Sequence, residues 1–386
     1  MSRDTADCLS IVAPAVPVPS GMSCPVLSTV TALVDGGTPA AATQREQRVV
    51  SVRRVAGRVF PTVLWRCLRR PWVIGERQPR RPIQLDSFAF HAVIGTWMEA
   101  DIIEATVANA FAHGVDRVFL IDNGSPDDTV DRATGAGAEH VLTFRTDHYD
   151  EERRVALMTQ FAERSARESG ARHVWWLWLD ADEFPRPQSG GTLRSMLEAL
   201  DRRFRIVGAR FLNHYPSPGR AIYVPGRHPI DYQPLCEELN STMCWEGHRK
   251  HPLIRWDRGA PSIAPTLGFH TARSATRPLS EPLEPIVIHH FPFRSEAAAR
   301  ARLEALFGRG DDATPRVRKD DVPASHMKAR LGSLDAVYAG DWKNVESLVM
   351  EQYTVGVSPR DWRDLKPAIS TEIPRWYSLE VRVCGG

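Results

Sequence analysis

The chain has 386 residues, of which 42% are hydrophobic and 25% are charged, so a single large globular domain with appendages is expected. The formal net charge of +2 argues against nucleic acid as an obligate partner. The six cysteines stand far apart without a CxxC pair, which excludes a dense disulfide framework and a typical zinc site. No apolar run is long enough for a signal peptide or a membrane span, so the sequence predicts a cytoplasmic protein.

Residues 1–80 are predicted to form a leader outside the main domain. The first 44 residues are rich in Ala, Pro, Ser and Thr without periodicity, which predicts disorder. Residues 49–70 combine apolar residues at helical spacing with many arginines, and Pro61 would interrupt any helix there. Such a basic stretch can contact an anionic membrane, bind an acidic partner, act as a transit peptide or form a solvated face packed on the main domain. Peripheral membrane contact through residues 49–70 is therefore one of four interpretations.

Strands and helices alternate from about residue 86 onward. Hydrophobic periodicity predicts strands at 88–95, 117–121, 140–144 and 173–179, and helices at 99–113 and 151–169. This alternation is typical of an α/β fold with a mostly parallel central sheet flanked by helices, in which ligands gather at the carboxyl ends of the strands. The predicted domain covers residues 81–310. Residues 311–386 are predicted to be a helical C-terminal extension.

The first candidate site is Asp180-Ala-Asp182, directly after the apolar run WLWL. Two carboxylates separated by one residue at a strand end can point toward a common hard cation, Mn²⁺ or Mg²⁺. Such a cation would bridge two phosphates and stabilise a departing nucleoside diphosphate. The alternative is an acidic turn that caps the next helix.

The second candidate is Asp122, which ends an earlier strand in the sequence DNGSPDD. A carboxylate at this position could accept hydrogen bonds from a ribose or a base, as acidic residues do at strand ends in dinucleotide-binding folds. The alternative is an Asx-turn, the commoner role of Asp before Asn-Gly.

The third candidate follows a predicted strand at 285–288, where His289 and His290 precede Arg294 and Ser295. A neutral imidazole is a suitable third ligand for Mn²⁺, and a guanidinium can pair with phosphate oxygens. The alternative is a structural histidine pair. We therefore predict His290 as a metal ligand and Arg294 as a donor contact, in a loop ordered by the Ser295 N-cap of a helix at 296–307.

These three segments together resemble the family-2-like glycosyltransferases of the GT-A fold. The resemblance covers residues 86–310 and rests on MEADIIEATVANAFAHGVDRVFLIDNGSPDDT, WLWLDADEF and HHFPFRSEAAARARLEALFGRG in that order. It implies a nucleotide-sugar donor, a divalent cation at the DxD motif and inversion at the anomeric carbon. Carried over by position, Glu99 and Asp122 would contact the nucleoside, Asp180 and Asp182 the metal and diphosphate, and His290 the metal. One departure is the family's Lys-Asn before the glutamate, which is Trp97-Met98 here.

The acceptor side is expected in residues 204–271, where aromatic and polar residues are mixed. The acceptor itself, a glycan, a lipid-linked molecule or a small molecule, is left open. An inverting transfer needs a general base near the acceptor hydroxyl. Asp231, Glu237, Glu238 and Glu246 are eligible, and Glu246 and Asp231 are our candidates.

Two rival functions share the same motifs. A nucleotidyltransferase would place a Gly-rich, Lys/Arg-bearing loop after the first strand, where this chain has Gly95-Thr-Trp-Met-Glu99. A non-catalytic carbohydrate- or nucleotide-sugar-binding protein of the same fold would bind without metal dependence and without releasing a nucleoside diphosphate. The acidic motif and His290 favour catalysis.

Overall fold

The computed structural model describes the second of two compact units, Pro71–Gly386, in nine stretches. These stretches are residues 73–146, 150–217, 227–238, 250–274, 279–282, 286–308, 322–349, 352–355 and 358–365. The predictions for residues 1–72, including membrane contact through 49–70, lie outside them, as does Glu246. Within these stretches no helix has the length and apolar character needed to cross a membrane.

Strands and helices alternate through the first half of the unit and strands dominate the second. The strands are β1 (Val73–Glu76), β2 (Ala89–Thr96), β3 (Arg117–Asp122), β4 (Glu139–Thr143), β5 (His173–Asp180), β6 (Glu183–Pro187), β7 (Ile206–Tyr215), β8 (Leu235–Glu238), β9 (Lys250–Asp257), β10 (Ile263–Pro265), β11 (Ala272–Ser274), β12 (Leu279–Pro282), β13 (Ile286–His290), β14 (Glu346–Val349), β15 (Gln352–Val355) and β16 (Arg360–Asp361). The helices are α1 (Ile103–Ala112), α2 (Thr129–Gly135), α3 (Glu151–Glu168), α4 (Leu193–Ala199), α5 (Glu296–Gly308) and α6 (Val322–Ala339).

The main sheet has the order β16-β8-β7-β9-β5-β2-β3-β4, with β13 also paired to β7 and β6. The strands β5, β2, β3 and β4 are parallel, as the alternating pattern predicts. Strand β9 runs antiparallel between β5 and β7. The sheet is therefore mixed, and the prediction of an α/β fold with a helix-flanked central sheet is confirmed.

Both faces of the sheet are buried, which explains the continuous apolar run of β5. Trp175 and Leu177 join the core cluster that packs under α1, whereas Trp176 and Trp178 join the cluster that packs under α3. Side chains alternate between the faces of a strand, so a strand covered on both sides is apolar throughout. The polar residues His173 and Asp180 bound this apolar run, so Asp180 stands at the end of the buried strand.

Segments outside the predicted domain also join it. Strand β1 pairs in parallel with β12, and Gln78 Nε2 donates to Ala199 O at 3.2 Å, so residues 73–80 belong to the domain in the structure. At the other end, β16 pairs with β8, and β14 pairs with β15. Helix α6 packs on α5 in a buried cluster that includes Leu303 and Leu334. The C-terminal extension therefore contains strands as well as a helix.

Candidate active site

Charged side chains collect at one edge of the sheet. Asp122 and Asp180 end the parallel strands β3 and β5, and His290 ends β13. Lys250 begins β9, which pairs antiparallel with β5, so its first residue lies at the edge where β5 ends. Strand direction alone thus brings together residues that are far apart in the sequence.

The Asp180 carboxylate is held by two cations. Arg154 Nη1 donates to Oδ1 at 2.6 Å, and Lys250 Nζ donates to Oδ2 at 2.7 Å. Burial alone would raise the pKa of Asp180, but Arg154 and Lys250 lower it well below its usual range. Arg154 reaches Asp180 over Gly95, where a Cβ would lie 2.8 Å from Arg154 Nη1. Glycine at the end of β2 is therefore a condition for this ion pair.

Lys250 also pairs with Glu183, the residue after the DxD motif. Its ammonium lies 5.5 Å from the ring centre of Phe211 and 5.6 Å from that of Phe269, so aromatic faces enclose it. Burial raises the pKa of Glu183 to about 8 despite Lys250, and Asp180 reinforces the shift. Glu183 Oε2 has no hydrogen-bond partner among the described residues. One ammonium thus pairs with the buried Glu183 and the partly exposed Asp180, and Asp180 has Arg154 as a second cation.

Asp182 faces His290. His290 Nε2 lies 3.3 Å from Asp182 Oδ2, and His290 Nδ1 lies 2.9 Å from Asn213 Oδ1. Asn213 and His290 are register partners on the parallel strands β7 and β13. The amide oxygen can accept only a proton from Nδ1, which leaves Nε2 as the nitrogen that faces Asp182. Burial would raise the pKa of Asp182, but His290 and the nearby Arg302 and Arg294 hold it well below its usual range.

A second charged group surrounds Glu99. Its carboxylate pairs with Arg294 and Arg302, and Arg294 also binds Asp101 through Nε and Nη2, both at 2.9 Å. Arg294 Nη1 lies 3.6 Å from Asp182 Oδ2, so this group adjoins the DxD motif. Burial raises the pKa of Glu99 to about 7, against the lowering effect of both arginines. The structure thus brings Glu99, Asp182, His290 and Arg294 together, and their roles in one binding site stay predictions.

Asp122 adopts the geometry of the Asx-turn alternative. Its Oδ2 accepts from Gly124 N at 2.9 Å and from Ser125 N at 3.0 Å, and its Oδ1 accepts from Ser125 Oγ at 2.6 Å. The carboxylate therefore orders the loop after β3. A nucleoside contact by Asp122 stays a prediction.

Of the two candidate bases, Asp231 lies in the described part of the chain. Asp231 ends a 3₁₀ turn at Pro229–Asp231, and its partly exposed side chain lies 4.0 Å from Arg227 Nη2. Partial burial raises the pKa of Asp231, the direction that strengthens a base. Within the described stretches no hydrogen bond or ion pair joins Asp231 to Asp180 or Asp182. Glu246 lies outside the described residues, and both roles stay predictions.

Sequence reasoning missed several charged or polar partners in the site. These are Arg154, Glu183, Asn213, Lys250 and Arg302. Two of them carried a signal, because Glu183 directly follows the acidic motif and Lys250 is a lone lysine at the start of an apolar strand. The others could not be recognised, since only tertiary contacts set them apart from ordinary polar residues.

The predicted metal ligands are Asp180, Asp182 and His290. No group of three or more His, Cys, Asp or Glu side chains in the described stretches is arranged to hold a metal ion. Asp182 and His290 nevertheless fit as a ligand pair. Their 3.3 Å separation is close to the ~3 Å between neighbouring ligands around an octahedral cation with bonds of ~2.1 Å. Asp180 could join them only if Arg154 or Lys250 gave up its carboxylate oxygen.

Comparison with known proteins identifies the class. Residues 92–245 match the family Glycosyl transferase family 2. No curated protein matches the chain significantly. The fold and this match define the chain as a glycosyltransferase with a GT-A type domain. The matched stretch contains the first two of the three segments that carry the resemblance.

Several solved structures are also similar. A mannosyltransferase from Pyrobaculum calidifontis, in complex with GDP-Man and Mn²⁺, is 14% identical, with 72% of this chain and 77% of that chain covered and a TM-score of 0.30. A glucosyl-3-phosphoglycerate synthase from Mycobacterium tuberculosis, with Mn²⁺ and UDP, is 14% identical, with 74% and 88% covered and a TM-score of 0.27. This chain spans only 40% of the mannosyl-3-phosphoglycerate synthase from Rubrobacter xylanophilus, at 24% identity, with 32% of this chain covered and a TM-score of 0.22. Similarity this low transfers no substrate to this chain.

Proposed function

We propose that this glycosyltransferase moves a sugar from a nucleotide-diphosphate donor to an acceptor hydroxyl with the help of Mn²⁺ or Mg²⁺. The observation that carries the proposal is the pair Asp182 and His290, whose oxygen and nitrogen face each other at 3.3 Å. A neutral imidazole lone pair and a carboxylate repel each other unless a positive charge lies between them. A divalent cation supplies that charge, and a proton on His290 replaces it when no cation is bound.

Different residues of this chain would hold the cation and orient its ligands. Asp182 and His290 would hold the cation, which when bound neutralises charge on the departing nucleoside diphosphate. Asn213 fixes the tautomer of His290, so that Nε2 presents a lone pair and not a proton. Arg294, bound to Asp101 and 3.6 Å from Asp182, would position the loop after β13 beside the DxD motif. Asp180, also predicted to be a metal ligand, pairs with Arg154 and Lys250.

The acceptor hydroxyl must lose a proton as the new bond forms. Asp231 is our candidate base in the described part of the chain, and burial raises its pKa, the direction that strengthens a base. Glu246 is the second candidate. Transfer with inversion follows if the base and the leaving diphosphate lie on opposite faces of the sugar. The acceptor is a glycan, a lipid-linked molecule or a small molecule.

The proposal is tested by measuring the melting temperature with UDP, GDP, CDP or dTDP, each with and without Mn²⁺. A ligand that binds the native state stabilises it in proportion to the logarithm of its concentration. We expect one diphosphate to raise the melting temperature only when Mn²⁺ is present. Asp182→Asn should abolish this effect, whereas Asp86→Asn, at an exposed site, should preserve it.

The outcomes separate the rival functions. Release of nucleoside diphosphate from a matching nucleotide-sugar supports transfer or slow donor hydrolysis. Metal-independent binding without release would instead indicate a non-catalytic binding protein. Stabilisation by a nucleoside triphosphate alone, with pyrophosphate release, would indicate a nucleotidyltransferase.

A further inference from the structure

Two arginines approach Asp182 and Glu99 from the segment after β13, but they are bonded differently. Arg294 uses Nε and Nη2 for a bidentate pair with Asp101, Nη2 also for Glu99, and Nη1 for Phe291 O at 2.9 Å. Only 3% of its side-chain surface is exposed. Each nitrogen that could meet a ligand already has a protein partner. Arg294 is therefore a buried structural residue that links Phe291, just after β13, to Asp101, just before α1.

Arg302, on helix α5, is less constrained. Its Nη1 pairs with Glu99 Oε1, its Nη2 donates to Pro292 O at 3.1 Å, and 13% of its side chain is exposed. Its Nη1 also lies 4.0 Å from Asp182 Oδ2. Arg302 thus has one carboxylate partner where Arg294 has two, and it adjoins the carboxylate that faces His290. Among the described arginines of this group it is the one that can change partner without breaking a bidentate pair.

We propose that Arg302 binds the diphosphate of the donor, and that it does so by exchanging Glu99 for a phosphate oxygen. This proposal rests on the proposed function, because it takes the ligand to be a nucleoside diphosphate. The guanidinium keeps an anionic partner throughout the exchange, and Glu99 keeps its ion pair with Arg294. A planar guanidinium can meet two phosphate oxygens at once, which a single carboxylate oxygen of Glu99 does not offer.

The exchange has a consequence for Glu99. Its Oε2 stays with Arg294, while the released Oε1 needs a new hydrogen-bond donor. A ligand hydroxyl is the group that fits, since it donates without adding charge. The interaction of Arg302 with phosphate and that of Glu99 with a hydroxyl are then coupled in one ligand.

The test compares binding of inorganic pyrophosphate, the best-binding nucleoside diphosphate of the four above and its parent nucleoside, all with Mn²⁺, by calorimetry. We expect Arg302→Gln to weaken pyrophosphate and the nucleoside diphosphate by about tenfold or more, and the nucleoside by less than about threefold. Arg302→Lys, which keeps the charge but loses the planar fork, should fall between wild type and Arg302→Gln. Arg300→Gln, on the same helix but paired with Asp335 and Glu296, is the matched control and should bind as wild type.

The result can overturn either proposal separately. If a folded Arg302→Gln or Arg302→Lys variant binds pyrophosphate and the diphosphate as tightly as wild type, the Arg302 assignment is wrong. Equal losses for nucleoside and diphosphate would also overturn it, because they would indicate a general disturbance of the site. If wild type binds pyrophosphate through Arg302 but none of the four diphosphates, the Arg302 assignment stands and the nucleotide-donor proposal fails.

Discussion

Lys250 Nζ lies 2.7 Å from Asp180 Oδ2 and also contacts Glu183, at the point where β9 begins and β5 ends. Removing this ammonium leaves the buried Glu183 without this cation and leaves Asp180 with Arg154. We expect Lys250→Met to lower the free energy of unfolding by about 3–5 kcal/mol, measured by urea denaturation. Adding Glu183→Gln should restore part of the loss. Lys343→Met, at an exposed position, should change stability by less than about 0.5 kcal/mol. A Lys250→Met protein as stable as wild type would show that the carboxylates do not need it.

Gly95 provides the space through which Arg154 reaches Asp180. A Cβ there would lie 2.8 Å from Arg154 Nη1 and 3.0 Å from Met158 Sδ, so the arginine must move. We expect Gly95→Ala to cost about 1–3 kcal/mol of stability. It should also reduce stabilisation by the donor diphosphate. Gly332→Ala, in helix α6 with nothing within 4 Å of the new methyl, is the control and should stabilise by up to about 1 kcal/mol. Equal effects at the two positions would exclude the Arg154 explanation.

Met98 has a φ of 54°, in the left-handed region that side chains with a Cβ seldom adopt. It stands where the resembling family has asparagine, a residue that tolerates this conformation. At position 98 we expect Gly to be more stable than Ala by about 1 kcal/mol, the reverse of the usual order. Thermal unfolding of Met98→Gly and Met98→Ala measures the difference, and comparing two truncations cancels the lost methionine packing. If Ala is the more stable of the two, the backbone at Met98 is unstrained.

Five buried histidines make stability depend on pH. Burial lowers the pKa of His91 to about 4 and of His113 and His214 to about 3, and it also lowers those of His228 and His289. A folded-state pKa below the unfolded value of 6.5 gives stability that is present above pH 6.5 and lost as the pH falls toward 4 and 3. Between pH 6.5 and 5.5 each histidine should cost about 1 kcal/mol.

Two carboxyls act in the opposite direction. The pKa values of Glu99 and Glu183 are raised to about 7 and 8, so their stabilising contribution is complete below pH 4.5 and is lost as the pH rises through 7 to 8. Five histidines outweigh two carboxyls, and urea denaturation should show lower stability at pH 5.5 than at 6.5. His113→Leu should reduce this loss by about 1 kcal/mol, whereas exposed His140→Gln should leave it unchanged. If His113→Leu loses as much stability between pH 6.5 and 5.5 as wild type does, the lowered pKa of His113 does not contribute to the pH dependence.

Asn213 accepts the Nδ1 proton of His290 and so decides which nitrogen faces Asp182. We expect Asn213→Leu to weaken Mn²⁺ binding by about 10- to 100-fold, measured by titrating Mn²⁺ and following its electron paramagnetic resonance signal. Asn213→Asp, which still accepts this proton, should bind Mn²⁺ at least as well as Asn213→Leu. Asn123→Leu, on the loop after β3, is the control for loss of a buried amide. Unchanged Mn²⁺ affinity in Asn213→Leu would mean that His290 needs no orienting partner.

The positions of most elements in the first half of the domain were predictable from the sequence. The predicted strand at 173–179 is observed as His173–Asp180, and the predicted helix at 151–169 as Glu151–Glu168. Asp180 at a strand end and the Ser295 start of a helix were predicted as well. These predictions succeeded because hydrophobic periodicity and helix termination depend on residues within a few positions of one another.

Ion-pair partners could not be predicted in the same way. Lys250 reaches Asp180 because β9 returns antiparallel beside β5, and Arg302 reaches Glu99 because α5 packs against the start of α1. Each pair joins residues separated by 70 or more positions. Any of the many arginines and lysines could have served, since the charge of a side chain does not specify its partner.

The sequence by itself determined which strands and helices form and which acidic residues end the strands, because local apolar patterns and chain direction decide both. Only the tertiary structure decided that Asp180 forms ion pairs with Lys250 and Arg154 while Asp182 faces His290. Buried charges must be compensated by whichever opposite charges the strand order and register bring within a few ångströms. That choice depends on the fold of the whole domain.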